Sequence, residues 1–226
     1  MNNSSENTSA INSNETGLAL TAMRIDFTDG TLSEEQLASD PISQFIVCFN
    51  EAVDRPVSEA NAMTLSTVGR NLRPSARVVL LKEVDRRGFV FCTNYDSDKG
   101  RELAENPQAT LLFFWKELQR QVRISGLVEK ISPEESDVYF YERPVESRIG
   151  ALASAQSRVI GSRSELESRF AEIQATTPDP QRPAHWGGYR LLPDEVEFWQ
   201  GRPSRLHDRL RYRLVENMWV VERLSP

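Results

Sequence analysis

The alternation of apolar and polar residues along this chain predicts a sheet built mostly from hairpins. Short runs rich in β-branched and aromatic residues are separated by turns of Gly, Asn, Asp and Arg, which is the pattern of strands joined by tight connections. Three such runs come first: AMTLSTV from Ala62, ARVVLLKEV from Ala76 and FVFCT from Phe89. The polar residues 85–88, DRRG, join the second run to the third, so these two strands are predicted to form a hairpin.

A second group of strands follows the same pattern. ATLLFFW (109–115) and RQVRISGLVEKI (120–131) form another predicted hairpin. Three closing strands are predicted between residues 187 and 224, namely GGYRLL, VEFWQ with DRLRYR, and MWVVERL. Seven or eight strands connected mainly by hairpins favour an antiparallel barrel over a parallel sheet.

Four helices are predicted between the strands, each from its N-terminal cap. Asp40 followed by Pro41 starts the first, with Asp as the N-cap and Pro in the first turn. Ser97 caps a short helix, and Ser132 opens a capping box with proline in the first turn. The fourth helix is predicted from Ser164 to about residue 174, with Ser164 and the glutamate three residues later as its cap.

The composition narrows the possible partners. The chain has 226 residues, 39% hydrophobic and 27% charged, which is ordinary for a globular protein. A net charge of −6 argues against a nucleic-acid partner, and no apolar run reaches the length of a membrane span. Cys48 and Cys92 lie in apolar runs, which favours free buried thiols in a reducing compartment over a disulfide. With His185 and His207 they are too scattered to predict a metal site.

The N-terminal segment differs from the rest of the chain. Residues 1–20 are polar and lack both a basic residue and an apolar core, so they do not predict a signal peptide. They cannot bury enough apolar area to offset chain entropy and are expected to be a disordered tail. Residues 21–226 show no repeat and no shift in composition, which predicts a single domain. The cytoplasm is the expected compartment.

The segment EFWQGRPSRLHDR, from Glu197 to Arg209, carries the strongest chemical signal. Its arginines, imidazole and indole are not needed in a plain core strand, because charged side chains are almost never fully buried unless paired. Arginine binds phosphate bidentately and stacks on flat rings, and tryptophan offers a broad apolar face. The segment therefore indicates a site for a planar, anionic ligand. His207, between two arginines, is a poor candidate for a core residue.

Two other segments carry cations whose roles the residues alone leave open. In RVVLLK, strand alternation places Arg77 and Lys82 on opposite faces unless a bulge intervenes. Taken alone, these are more simply two charges at the ends of a buried strand. Ser97 and Lys99 lie where a strand runs into a helix N-terminus, which can seat a phosphate or can be an ordinary capped helix.

A third segment offers hydroxyl and guanidinium donors. Tyr139, Arg143 and Ser147 recur at every fourth position, although Pro144 is predicted to break the helix that would align them. Together they suit a phosphate pocket, and a surface helix end is the alternative interpretation. Gln121, considered alone, reads as a solvent-facing strand residue.

In combination, RLHDR, RVVLLK and the Tyr…Arg-Pro…Ser segment resemble the pyridoxine/pyridoxamine 5'-phosphate oxidases, from about Arg24 to Pro226. The resemblance implies a mainly β, antiparallel, FMN-binding split barrel with flanking helices. It implies a homodimer with FMN at the subunit interface. The implied reaction oxidises pyridoxamine or pyridoxine 5'-phosphate to pyridoxal 5'-phosphate. Hydride passes from C4' to flavin N5, and O2 is reduced to hydrogen peroxide.

The resemblance also implies a role for each candidate residue. The implied FMN contacts are Arg77, Lys82, Cys92, Thr93, Lys99, Gln121, Gln156, Ser157, Trp199 and Arg209. The implied substrate contacts are Arg24, Lys82, Tyr139, Arg143, Ser147, Arg205 and His207. Of these, Arg205 and His207 are the predicted catalytic residues, because they would position the reacting carbon over the flavin.

Two positions depart from the family pattern. Asp98 stands where an arginine is usual, and a unit pair at ~6 Å with an effective dielectric of ~20 is worth roughly 3 kcal/mol. We therefore expect Asp98 to turn outward and FMN to bind more loosely. Phe27 stands where a tyrosine is usual, in the segment expected to close over the substrate with Arg24.

Two alternative functions stay open at this point. One is an FMN oxidase of the same family that acts on a reduced phenazine precursor, which the two departures favour slightly. The other is a flavin- or pyridoxal-phosphate-binding protein without turnover. The intact set of phosphate donors argues against the phenazine alternative, because a ligand without phosphate would leave buried cations unpaired.

Overall fold

A computed structural model describes residues 30–226, so the predicted tail and the positions Arg24 and Phe27 lie outside the described residues. The strands are β1 (Ala62–Val68), β2 (Pro74–Asp85), β3 (Gly88–Asn94), β4 (Gln108–Trp115), β5 (Arg120–Lys130), β6 (Trp186–Gln200), β7 (Asp208–Val215) and β8 (Met218–Arg223). The helices are α1 (Pro41–Asp54), α2 (Asp98–Glu105), α3 (Pro133–Tyr141), α4 (Val145–Ala153) and α5 (Arg163–Thr176).

The strands form one antiparallel sheet in the order β3-β2-β1-β4-β5-β6-β7-β8. Because β3 also pairs with β6, the first six strands of that order close into a barrel, and β7 and β8 extend the sheet beyond it. The predicted antiparallel barrel with flanking helices is confirmed. The hairpin pattern was sufficient because nearly all neighbouring strands are sequence neighbours.

The barrel core is aromatic. Helix α1 inserts Phe45 between strands, with its ring 4.9 Å from Phe89 and 5.0 Å from Phe113 between centroids. Alternate residues of β1, β4 and β5 are buried and their neighbours are not, which is the signature of strands with one face on the core. The outward faces of these strands are therefore available to build a site.

The helix caps agree with the sequence in three of four cases. Asp40, Ser97 and Ser132 each accept a hydrogen bond from a backbone N–H of the first turn. The prediction that Ser164 caps the last helix was wrong. Ser162 is the cap and accepts from the Glu165 amide at 3.1 Å, so Ser164 already lies inside α5.

Two further features differ from the predictions. Pro144 does end α3, as predicted, but it also serves as the N-cap of α4, a helix that the sequence patterns did not reveal. GGYRLL and VEFWQ were predicted as separate strands and form one strand, β6. The ladder continues because Pro193 lies opposite Gly126 at a register shift, where the missing proline N–H and an absent Cβ are tolerated.

Candidate active site

A cavity of about 880 Å³ lies between strands β2 and β3 and helices α2, α3 and α4. This volume is in the range of small-molecule and cofactor sites. The cavity brings together ten of the residues singled out from the sequence, which are Arg77, Lys82, Cys92, Thr93, Lys99, Tyr139, Arg143, Ser147, Gln156 and Ser157. We call it the cationic cavity, because two arginines and two lysines line it.

Strand β2 supplies two of these cations. Its pairing with β3 is irregular between Leu81 and Glu83, so a bulge falls at Lys82. The sequence placed Arg77 and Lys82 on opposite faces unless a bulge intervened, and both line the cavity. The Arg77 guanidinium also contacts Glu102, with an Nη2–Oε2 distance of 3.2 Å, which anchors it at the cavity wall.

The start of α2 supplies the third cation. Lys99 Nζ donates to Thr93 Oγ1 at 3.1 Å and to Gln156 Oε1 at 3.0 Å. Burial and the nearby Arg77 lower the pKa of Lys99. The backbone amide of residue 98 donates to Ser157 Oγ at 3.2 Å, which ties the helix start to the loop after α4. These contacts place amine, hydroxyl and amide groups on one wall.

Asp98 also lines the cationic cavity, but its side chain lies at the edge of the cavity and pairs with another residue. Its side chain is 59% exposed and forms an ion pair with Arg101, one turn further along α2. The outward orientation expected from the sequence agrees with this geometry. The ion pair with Arg101 partly offsets the charge that replaces the usual cation.

Arg143, the fourth cation, is a half-buried arginine at the C-terminal end of α3. Its guanidinium lies 5.0 Å from the ring of Trp186, and burial lowers its pKa. Nη1 is buried and has no hydrogen-bond partner among the described residues. A buried cationic donor without a partner is costly, so this position is suited to an anion. Tyr139 and Ser147 line the cavity beside it.

Cys92 also lines the cavity. Both cysteines are free, as predicted. Burial raises the pKa of the Cys92 thiol to about 12, so it stays a neutral thiol near pH 7. It therefore contributes a small apolar surface rather than a nucleophile.

A second cluster lies on the outward face of β5, β6 and β7, around a smaller cavity of about 280 Å³. Gln121, Trp199 and Arg209 occupy directly opposed positions on these three neighbouring strands. We call this the Trp199 cluster. Gln121 is half-buried here and not a freely exposed strand residue.

A buried carboxylate organises the Trp199 cluster. Glu197 Oε1 accepts from Arg209 Nε at 2.7 Å, and its Oε2 accepts from Arg123 Nη2 at 2.6 Å. The side chain of Glu197 is only 7% exposed, and the contact raises the pKa of Arg209. The sequence analysis assigned no role to Glu197. Its position two residues before Trp199, hence on the same strand face, was the available signal.

The loop between β6 and β7 carries the predicted catalytic residues. Ser204 and Arg205 have positive φ angles of 57° and 61°, which is an unfavourable conformation for residues with a side chain. His207 packs on Trp199 with ring centroids 4.6 Å apart. Its Nδ1 accepts from the backbone amide of Arg202 at 3.1 Å.

The contacts of His207 define its protonation state. Burial and Arg205 lower the pKa of the imidazole, so the ring is neutral near pH 7. Because Nδ1 accepts a hydrogen bond, the proton of the neutral ring is on Nε2. The N–H donor of the neutral His207 ring is therefore on Nε2, beside the Trp199 cluster.

The two groups of residues are separate within one chain. On one side of the barrel β1 and β4 lie between β2 and β5, and on the other side β3 pairs with residues 186–191 of β6, well before Trp199 in that strand. Two large apolar side chains are exposed on this part of the sheet, one on β2 and one on β4. Val78 is 68% exposed and Phe114 is 55% exposed.

A family model described as pyridoxamine 5'-phosphate oxidase matches residues 49–177. The chain belongs to the pyridoxamine 5'-phosphate oxidase family. A second model, described as the C-terminal dimerisation region of pyridoxine 5'-phosphate oxidase, matches residues 186–226. The family membership confirms the predicted enzyme class, an oxidoreductase of this type, and the predicted cofactor, FMN.

Relatives and solved structures agree with the family. A pyridoxine/pyridoxamine 5'-phosphate oxidase of Burkholderia multivorans is 58% identical over 213 residues, covering 92% of this chain and 99% of the relative. One of Herminiimonas arsenicoxydans is 53% identical over 211 residues, covering 92% of this chain and all of the relative. The structure of PhzG from Burkholderia lata, in complex with tetrahydrophenazine-1-carboxylic acid, has a TM-score of 0.84 at 35% identity. It covers 88% of this chain and 99% of that one.

Among residues 30–226, no helix is long and apolar enough to cross a membrane.

Proposed function

We propose that this protein is an FMN-dependent oxidase that converts pyridoxamine 5'-phosphate and pyridoxine 5'-phosphate to pyridoxal 5'-phosphate. The observation that carries the proposal is the buried Nη1 of Arg143, which has no partner within residues 30–226. It lies in a cavity with Lys82, Tyr139 and Ser147, which are all donors suited to a phosphate. A phosphate dianion on the substrate would satisfy this set.

The residues also fit FMN. Arg77, Lys99 and the hydroxyl of Thr93 offer cationic and neutral donors for a second phosphate on the α2 side of the cavity. The side chains of Gln156 and Ser157 continue that wall. When bound, FMN supplies a two-electron acceptor that O2 can reoxidise, yielding hydrogen peroxide.

A homodimer would complete the site. The matched dimerisation region contains Trp199, Arg205, His207 and Arg209, all of them in or beside the Trp199 cluster. In a two-fold dimer the same surface patch meets its copy, so the Trp199 cluster of one subunit can face the cationic cavity of the other. The exposed side chains of Val78 and Phe114 would then be buried between subunits.

In this arrangement each residue has a defined task. Lys82, Tyr139, Arg143 and Ser147 bind the substrate phosphate, and each hydrogen bond from the cations Lys82 and Arg143 contributes about 1.5–3 kcal/mol. Arg205 and the Nε2–H of His207 orient the substrate ring from the other side. Gln121, Trp199 and Arg209 hold the flavin edge, and Cys92 leaves room for it.

The decisive experiment is anaerobic. FMN-loaded protein is mixed with pyridoxine 5'-phosphate, and the flavin absorbance is followed. We expect rapid bleaching and recovery when air is admitted. A flavin that stays oxidised with this substrate but bleaches with a reduced phenazine precursor would assign the phenazine chemistry instead. Binding of pyridoxal 5'-phosphate without bleaching by either compound would indicate a carrier.

A further inference from the structure

An acidic residue directly follows one of the cations that line the cationic cavity. Lys82 and Glu83 are consecutive residues of β2, and regular alternation would place them on opposite faces. Because the β2–β3 pairing is irregular between Leu81 and Glu83, both side chains are exposed. A bulge commonly re-aims a side chain in this way. The carboxylate of Glu83 contacts Tyr139, so an acid lies beside one of the predicted phosphate donors.

This carboxylate already occupies one of the donors. The hydroxyl of Tyr139 donates its hydrogen bond to Glu83 Oε2. Burial and the contact with Glu83 both raise the pKa of Tyr139, so the phenol stays protonated near pH 7. A phenol has a single proton to donate. The donor that lines the cavity is therefore committed to Glu83 in the absence of a ligand.

A phosphate dianion creates a direct conflict. A phosphate dianion accepts hydrogen bonds and donates none. It can therefore bind the Tyr139 hydroxyl only if that hydroxyl gives up its hydrogen bond to Glu83. The displaced carboxylate then remains close to a second anion. Arg143 and Ser147 keep their donors for the phosphate, and Lys82 adds a charge. Glu83 therefore opposes a contact that its neighbours favour.

We propose that Glu83 is a specificity-determining residue that weakens phosphate binding by competing for the hydroxyl proton of Tyr139. The inference rests on the proposed function, because it takes the substrate phosphate to bind between Lys82, Tyr139 and Arg143. Its consequence is a product that leaves more readily. A product phosphate held by every available donor would dissociate slowly, and product release limits many enzymes.

The test compares two ligands that differ only in the phosphate. Pyridoxal 5'-phosphate and pyridoxal are titrated into the FMN-loaded wild type, Glu83→Gln and Glu83→Ala. We expect Glu83→Ala to bind pyridoxal 5'-phosphate about tenfold more tightly, because it frees the Tyr139 hydroxyl for one hydrogen bond to a charged group. Glu83→Gln, whose amide oxygen can still accept from Tyr139, should give a smaller gain. Affinity for pyridoxal should not change. Glu167→Gln, which removes the same charge from the exposed face of α5, should leave both affinities at wild-type values.

Tyr139→Phe shows whether the effect passes through the hydroxyl. In the wild type, loss of the hydroxyl should cost little affinity for pyridoxal 5'-phosphate, because its proton is held by Glu83. In the Glu83→Ala background the same change should cost at least about tenfold, the lower end of the range for a hydrogen bond to a charged group. Equal costs in the two backgrounds would contradict the competition.

The outcomes separate this inference from the proposed function. If the wild type binds pyridoxal 5'-phosphate no better than pyridoxal, the phosphate does not occupy this cavity and the proposed function is wrong. If the wild type prefers the phosphorylated ligand and the Glu83 variants bind it equally or less tightly, only the role of Glu83 is overturned.

Discussion

The cationic cavity and the Trp199 cluster both contain arginines, yet they treat charge in opposite ways. In the Trp199 cluster, Arg209 and Arg123 share the buried carboxylate of Glu197 at 2.7 and 2.6 Å. In the cationic cavity, Arg143 has a buried Nη1 without a partner in the described chain. The pKa of Arg209 is raised by its partner, whereas that of Arg143 is lowered by burial.

The arginines of the Trp199 cluster therefore already have a carboxylate partner, whereas Arg143 in the cationic cavity has none within residues 30–226. Paired arginines keep their geometry without a ligand and can present a fixed edge to a flat ring. An unpaired buried arginine gains its partner only when an anion arrives, and so it contributes most to binding a phosphate. We therefore expect the Trp199 cluster to control orientation and the cationic cavity to control affinity.

The largest effect on rate is expected at His207, which packs on the Trp199 cluster, the region expected to orient the substrate. His207→Ala should slow anaerobic flavin reduction by pyridoxine 5'-phosphate about 100-fold, because a small misplacement of the reacting atoms costs this much. FMN affinity should change little. His207→Asn is the matched variant, since its amide oxygen can still accept from the Arg202 amide. A rate restored by asparagine would mean that His207 only supports the loop.

Arg143→Ala tests whether the cationic cavity controls affinity for the phosphorylated ligand. Loss of one charge-assisted contact of about 1.5–3 kcal/mol should weaken pyridoxal 5'-phosphate binding about 50-fold. The rate of flavin reduction at saturating substrate should fall much less. Arg163→Ala, an arginine on α5 whose side chain is 88% exposed, is the control. If Arg143→Ala lowered the saturated rate and left affinity intact, the division between the two regions would be wrong.

Glu197→Gln should leave the arginines of the Trp199 cluster without their buried carboxylate partner, as Arg143 is in the cationic cavity. The variant keeps the shape of the side chain but leaves Arg123 and Arg209 without their shared charge. We expect FMN to bind about tenfold more weakly, because Arg209 loses the partner that orients it, equivalent to about 1.4 kcal/mol. Flavin fluorescence on titration measures this. Glu167→Gln, which removes the same charge from the exposed face of α5, should have no comparable effect.

Most of the fold could be predicted from the sequence because its information is local. Alternating strands and hairpin turns determine most neighbours, and the barrel adds the β1–β4 pairing and the β3–β6 closure. The errors arose where one local signal fits two structures. Ser162 and Ser164 are each followed by a glutamate three residues later, so the caps of α5 could not be distinguished. Pro144 ends one helix and starts another, and only the first role was recognised.

The site was less predictable, because its contacts join distant residues. Segment motifs and the family resemblance gathered the lining residues of the cationic cavity, and their individual roles stay predictions. Nothing local indicated that Tyr139 would meet Glu83, 56 residues earlier in the chain. The separation into two regions also depends on the sheet order, which inserts β1 and β4 on one side, and on the length of β6, whose pairing with β3 ends at residue 191, before Trp199.

The smallest effect is expected at Asp98, where the sequence suggested a large one. Exchange of attraction for repulsion would be worth several kcal/mol in a closed site, but the Asp98 side chain is 59% exposed and pairs with Arg101. Solvent screening reduces such surface interactions to about 0–1 kcal/mol. Asp98→Arg should therefore tighten FMN binding only about threefold, and more at low salt than at high salt.

The Asp98 variant also tests where the boundary of the cationic cavity lies. Asp98→Asn removes the charge without adding a cation, so it should give about half of the free-energy change of Asp98→Arg. Flavin titrations at two ionic strengths measure both variants. An Asp98→Arg effect of 100-fold or more that persists at high salt would show that this position faces the flavin phosphate directly. The charge imbalance of the cavity would then include Asp98 as an internal anion, not as an exposed residue at its edge.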